Sequence, residues 1–168
     1  MNKEKYQNLE QYDLDEYLIQ ACESKNMELV KYLLTSPELS KHADIHTWCR
    51  GENGSPLRMA FSKKYFDLAK YLLTSPDLKE HANIHVANDA IFRNAFFKKE
   101  IDVLECLIFD HQIDRNQNID GIINNYKERS MGLSEHIEKI FSIRELNKDL
   151  HSELNIESTK ENKSKNKL

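Results

Sequence analysis

Two histidine pairs stand four residues apart, His42 with His46 and His81 with His85, and Cys49 follows the first pair. Imidazole and thiolate at such spacing are zinc chemistry, but a structural site takes four ligands and the second pair has no cysteine. The histidines also fall in a stretch without helical periodicity, so the geometry that brings i and i+4 side chains to one helix face does not apply. Their recurrence reads as duplication, and neither a metal nor a cofactor is expected. Carboxylates such as Glu100 and Asp102 sit beside Lys98 and Lys99 in a charged helix, where they make a solvated face. Serine, cysteine and histidine occur without a G-x-S-x-G, a Cys–His signature, a P-loop or a glycine-rich phosphate cradle. The chain is therefore expected to have no catalytic residue and no small-molecule substrate, and not to be an enzyme.

A second set of side chains suits recognition. Trp48, the only tryptophan, stands among Thr47, Arg50 and Glu52, and tryptophan and arginine are enriched among interface anchors. Its indole either faces a partner or folds back over its own chain, since large aromatics are highly buried on average. Phe96 and Phe97 are consecutive and cannot both point inward from one helix. Phe96 aligns with the core-like Phe61, which leaves Phe97 as the exposed one. Arg58 and Arg93 lie 93 − 58 = 35 residues apart at the same place in successive short helices. They are expected to form a ladder on one face, their planar guanidinium groups suited to carboxylates or aromatic rings.

The frame that must position these residues is a repeat. The segment LVKYLLTSPELSKHADIH, starting at Leu29, returns as LAKYLLTSPDLKEHANIH from Leu68, with 13 of 18 positions identical at an offset of 68 − 29 = 39. Ala21 and Ala60 share that offset, and a third, diverged copy aligns Ala95, Leu104 and Leu107 with Ala60, Ala69 and Leu72 at an offset of 35. Leu57, Ala60 and Phe61 have the spacing of a short first helix, and Phe66, Leu68, Ala69, Leu72 and Leu73 that of a second. Thr35-Ser36-Pro37 and Thr74-Ser75-Pro76 end the second helices, because the residue before proline is pushed out of the α region. Asn53-Gly54 and Asn88-Asp89 tolerate left-handed conformations and predict a tight reversal before the next first helix.

The run Ser55-Pro56-Leu57-Arg58-Met59-Ala60, then Asp67-Leu68-Ala69-Lys70-Tyr71-Leu72-Leu73, then Ala82-Asn83-Ile84-His85, resembles the ankyrin repeat. The third unit, from Asn88 to Ala95, looks like the shortened variant of viral and bacterial ankyrin proteins. The resemblance spans about Leu14 to Ile113, with an insertion after each second helix (TSPELSK, TSPDLKE) where the family has a short glycine-containing turn. It implies an all-α, ankyrin-type helical-hairpin solenoid with about three repeats and a C-terminal helical cap. The expected divisions are an N-terminal segment (1–13), ankyrin-like repeats (14–114), a cap (115–150) and a disordered polar tail (151–168). In the cap, Ile122, Ile123 and Tyr126, then Ile137, Ile140, Phe141 and Ile143, predict two helices, with Gly132 a break and Ser134 an N-cap. The tail, rich in Glu, Ser, Lys and Asn, has little to bury.

The resemblance also implies a partner protein bound on the concave face made by first helices and finger tips. On this sequence the fingers offer His46, Thr47, Trp48, Cys49, Arg50, Glu52 and Asn53, with Val86 and Asn88 in the next one. The first helices offer Gln20, Glu23, Arg58, Ser62, Lys63, Arg93, Phe97 and Lys98. Trp48, Arg50, Glu52, Arg58, Lys63, Asn88, Arg93, Phe97 and Lys98 are the candidate contact residues. The alternative is a self-associating structural protein, in which a homodimer forms across the open end of the stack or across the convex second helices with their repeated Tyr32 and Tyr71.

The net charge of −4, from 28 acidic and 24 basic residues spread along the chain, provides no basic field for nucleic acid. Three distant cysteines argue against a disulfide framework and for a reducing compartment. No stretch approaches the ~20 apolar residues of a membrane span. The expected location is cytoplasmic, or the host cytoplasm for a viral or secreted effector. Richness in Asn, Lys and Ile suits an AT-rich genome and hence a bacterial, phage or large-virus source. The expected role is binding one partner protein, as an effector or inhibitor.

Overall fold

In the computed structural model the apolar spacing becomes eight α-helices among the described residues, which are 3–48, 54–111 and 113–165, with side chains as far as Glu153. Cys49, Arg50, Glu52 and Asn53, named above, lie outside them. The chain divides into two units, Met1–Cys106 and Leu107–Leu168.

The first unit holds three helical hairpins: α1 (Gln11–Glu23) with α2 (Met27–Thr35), α3 (Pro56–Ser62) with α4 (Phe66–Thr74), and α5 (Val86–Lys98) with α6 (Ile101–Glu105). A π-helical turn, Cys106–Asp110, follows α6. The first helices form a row, α1 packing on α3 and α3 on α5. Their inward stripes are Leu14, Leu18, Ala21 and Cys22 on α1, Leu57, Ala60 and Phe61 on α3, and Phe92, Ala95 and Phe96 on α5, all 2% exposed or less. Repeats of this kind stand by burying such stripes against their neighbours. Burial pushes the Cys22 thiol up to about 12, so it stays protonated and inert. At the start, Tyr6 is buried edge-on against Tyr17, ring centres 5.1 Å apart.

The hairpin corner is the same in all three hairpins. Lys25, Lys64 and Lys99 adopt φ of +54°, +57° and +57°, and the next amide reaches back to the first helix, Asn26 N to Ala21 O, Tyr65 N to Ala60 O and Glu100 N to Ala95 O at 2.8, 2.8 and 2.9 Å. This left-handed C-terminal turn satisfies carbonyls that the helix end would orphan. A Cβ is unfavourable in that conformation, yet two of the lysines act across repeats: Lys25 pairs with Asp67 at 3.1 Å and Lys64 with Asp102 at 2.8 Å. Lys99 has no carboxylate within 4 Å among the described residues. Lys99→Gly is therefore expected to stabilise the chain by about 0.5–1 kcal/mol, raising the melting temperature by ~1–4 °C. A lower melting temperature would contradict this account of the corner.

The insertions after α2 and α4 are packed structure, and here the repeated histidines find their use. Leu39 and Leu78 tuck into the core at 6% and 9% exposure. Ala43 N donates to Leu33 O at 3.0 Å and Ala82 N to Leu72 O at 2.9 Å, closing equivalent loops. His42 Nε2 and His81 Nε2 each donate to the carbonyl of the serine ending the preceding helix, Ser36 O and Ser75 O, both at 2.9 Å. A carbonyl only accepts, which fixes the proton on Nε2. After the third hairpin Ile113 N closes onto Leu107 O over six residues instead of ten, because the threonine-serine-proline insertion is missing.

Within the second unit, α7 (Gln117–Asn125) and α8 (Met131–Lys165) bury Ile119, Ile122 and Ile123, and Ile137, Ile140 and Phe141. Asn116 caps α7 through Asn118 N and Ile119 N. Arg115 bonds Asp120 at 2.6 Å and grips Glu138 through two nitrogens at 2.7 and 3.0 Å. The expected break at Gly132 and N-cap at Ser134 are not where α8 begins. It starts at Met131, so both residues lie inside it, and the fully buried Ser134 directs its hydroxyl to Ile123 O at 3.5 Å. The helix runs on into the polar stretch from 151; Leu146, Leu150 and residues 151–153 are exposed along it.

Candidate functional site

Among the described residues, concavities along the row of first helices and the fingers include two inside the first unit. One, about 430 Å³, is lined by Tyr12, Asp15, Glu16, Ile19 and Gln20 of α1 with Thr47 and Trp48 of the finger. The other, about 360 Å³, lies where α3 faces α5 and is lined by Arg58, Phe61, Ser62, Ile91, Asn94, Ala95, Lys98, Glu100 and Val103.

The first finger is four residues longer than the second, nine steps from His46 to Ser55 against five from His85 to Ala90, the aligned position at the offset of 35. Trp48 stands in that longer finger. The residue is 50% exposed, so it is both a surface residue and a packed one. On the packed side the Arg58 guanidinium lies 5.0 Å from the ring centre, a cation–π contact that holds indole and guanidinium against each other. Gly54 makes the approach feasible. A Cβ there would lie 2.6 and 2.7 Å from two Trp48 ring carbons and 2.8 Å from Arg58 Nη1, and its φ of +50° disfavours any side chain. Ser55 then caps α3, its Oγ accepting from Arg58 N at 3.4 Å, with Pro56 at the first helical position.

The second finger is a left-handed turn. Ala87, Asn88 and Asp89 have φ of +52°, +54° and +57°, the conformation that Asn88-Asp89 predicts. Arg93 holds it from the helix side, donating to Asn88 O at 3.1 Å and Ala87 O at 3.5 Å, while the buried Asp89 carboxylate bonds His85 Nδ1. Arg93 thus spends hydrogen bonds on its own finger. It still lies near Arg58, whose guanidinium is held below its usual range, first by partial burial and then by the Arg93 charge.

The structure brings Trp48, Arg58 and Arg93 together and ties Asn88 to Arg93. Lys98 shares the second concavity with Arg58. Lys63, exposed at the end of α3, faces Glu23 at 3.8 Å. Phe97 is 46% exposed beside a Phe96 that is 1% exposed, and it lines neither concavity. Arg50 and Glu52 lie outside the described residues. Sequence reasoning missed Tyr12, Asp15, Glu16 and Ile19; these occupy the α1 faces not taken by Leu14, Leu18 and Ala21, the signal that would have found them. Tyr32 and Tyr71 do not stand out from the second helices. Tyr32 is 6% exposed with its hydroxyl donating to Lys3 O at 3.3 Å, and the Tyr71 ring lies under the Lys31 ammonium of the preceding unit at 5.4 Å.

Among the described residues no group of three or more His, Cys, Asp or Glu side chains is arranged to hold a metal ion, and no helix is long and apolar enough to cross a membrane. Residues 18–73 match the family described as ankyrin repeats (many copies). The matched span runs from the middle of α1 to the end of α4, and the α5–α6 hairpin beyond it repeats the same corner. No curated protein and no solved structure matches the chain.

Proposed function

We propose that this chain, which carries ankyrin repeats over residues 18–73, is a protein-binding module that grips one partner through the face made by α1, α3, α5 and the first finger. Ankyrin repeats generally serve protein–protein interaction, and binding rather than catalysis is the role read here. The observation that carries the reading is Trp48, half in solvent yet fixed by Gly54 and Arg58. An aromatic anchor already held in place loses little freedom on binding, which is where affinity is otherwise lost. Coverage of one partner's functional surface, as an effector or inhibitor in a cytoplasm, fits a face built on three hairpins better than scaffolding of many proteins.

The test uses the immobilised full chain as bait beside a bait carrying Trp48→Ala and Phe97→Ala. A stoichiometric partner retained by the first and lost by the second is the expected result. Equal retention by both would move the interface elsewhere. A sizing experiment across concentration covers the alternative of self-association: a dimer that persists on dilution would favour it.

A further inference from the structure

The groove between α1 and the first finger has a chemical character that specifies what enters it. α1 carries Asp13, Asp15, Glu16 and Glu23 and no lysine or arginine. Two of these, Asp15 and Glu16, line the groove. Asp15 Oδ1 accepts from Asp44 N at 2.7 Å and Gln11 Nε2 at 2.8 Å, and Glu16 Oε1 from Gln20 Nε2 at 3.4 Å. These donors are neutral, and no cationic nitrogen lies within 4 Å of either carboxylate among the described residues. On the same α1 face Tyr12, at 77% exposure, stands one turn before the carboxylates and Ile19 one turn after them, while Trp48, at 50%, lines the groove from the finger. Negative charge with no cation beside it among the described residues, aromatic surface and one aliphatic contact in a single groove are together complementary to a cationic side chain with a long apolar stem.

We propose that this groove receives an arginine side chain from a basic segment of the partner protein, the guanidinium set against the Asp15 and Glu16 carboxylates and the rings of Tyr12 and Trp48, its methylenes along Ile19. Arginine fits better than lysine because a planar, weakly hydrated fork can stack on a ring and bridge carboxylates at once. The proposal rests on the protein-binding reading above and supplies its chemistry.

Because Trp48 is the only tryptophan, its emission reports on this groove directly. The full chain is titrated at physiological salt with end-blocked hexa-arginine and, separately, hexa-glutamate. Hexa-arginine is expected to change the emission saturably and hexa-glutamate not at all. Tyr12→Ala combined with Glu16→Gln should weaken hexa-arginine at least tenfold, whereas Glu28→Gln, the same loss of charge at an exposed position of α2, should change it less than twofold. Equal losses in both variants would mean general attraction to an acidic chain and would overturn the assignment, as would saturable binding of hexa-glutamate. An emission change produced without peptide by Lys160→Ser, Lys163→Ser, Lys165→Ser and Lys167→Ser together would overturn it too, since the groove would then hold the chain's own lysine-rich end. If hexa-arginine fails while Trp48→Ala still weakens a captured partner, the arginine assignment falls and the protein-binding reading stands. If Trp48→Ala leaves partner affinity intact, that reading falls as well.

Discussion

Phe96→Ala is expected to destabilise the chain by about 3–5 kcal/mol, and Phe97→Ala by less than ~1 kcal/mol, though the two residues are neighbours of identical type. Phe96 is 1% exposed and lies 6.2 Å, ring centre to centre, from the fully buried Phe92 in a stacked arrangement. Deleting its ring removes buried apolar surface and leaves a cavity that helices pinned on both sides cannot close. Phe97 is 46% exposed and loses little on truncation. In a chain of this length the first loss corresponds to a fall of roughly 6–20 °C in melting temperature, large against a typical total stability of ~5–15 kcal/mol. Thermal melts of the two variants check it. Similar falls would mean that α5 is rotated from the position described.

Trp48→Ala carries the second large effect, on affinity rather than stability. Trp48 is half exposed and its ring packs on Gly54 and Arg58, so its removal should cost at most about 1 kcal/mol of folding free energy. A rigid aromatic at the centre of an interface is worth about 2 kcal/mol or more on truncation, a loss of roughly thirtyfold in partner affinity. Trp48→Phe should recover part of it, because a smaller ring keeps the contact with Arg58. Calorimetric stability and partner affinity measured on the same variant separate the two roles. A fall of several kcal/mol in stability with affinity unchanged would make Trp48 ordinary packing.

How much of this was readable beforehand follows from how locally each feature is encoded. The hairpins were legible because apolar periodicity and the proline after each second helix act within a few residues, and the duplication displayed both twice. The left-handed turn at Asn88-Asp89 was legible for the same reason. The left-handed lysines were not, since Lys25, Lys64 and Lys99 adopt that conformation because the helices on either side pack, against the preference of their side chains. The histidines pointed to duplication, but their partner, a helix-end carbonyl six residues back, became visible only once the insertion was folded. Ser134 misled because serine before an apolar run suits an N-cap, whereas a bond to Ile123 O serves it inside α8. Trp48 stood out by type. The acidic groove beside it did not, because it joins α1 to a finger some thirty residues away and no spacing rule links Tyr12, Asp15 or Glu16 to Trp48.

The central claim, a partner gripped by the first helices and the first finger, is tested most directly by hydrogen exchange on the chain with and without its captured partner. Slowed exchange in Gln11–Glu23, Pro56–Ser62 and Val86–Lys98 and at Thr47 and Trp48, with Met27–Thr35 and Phe66–Thr74 unchanged, is the result expected. Protection confined to those two second helices, with the first helices exchanging as in the free chain, would contradict it.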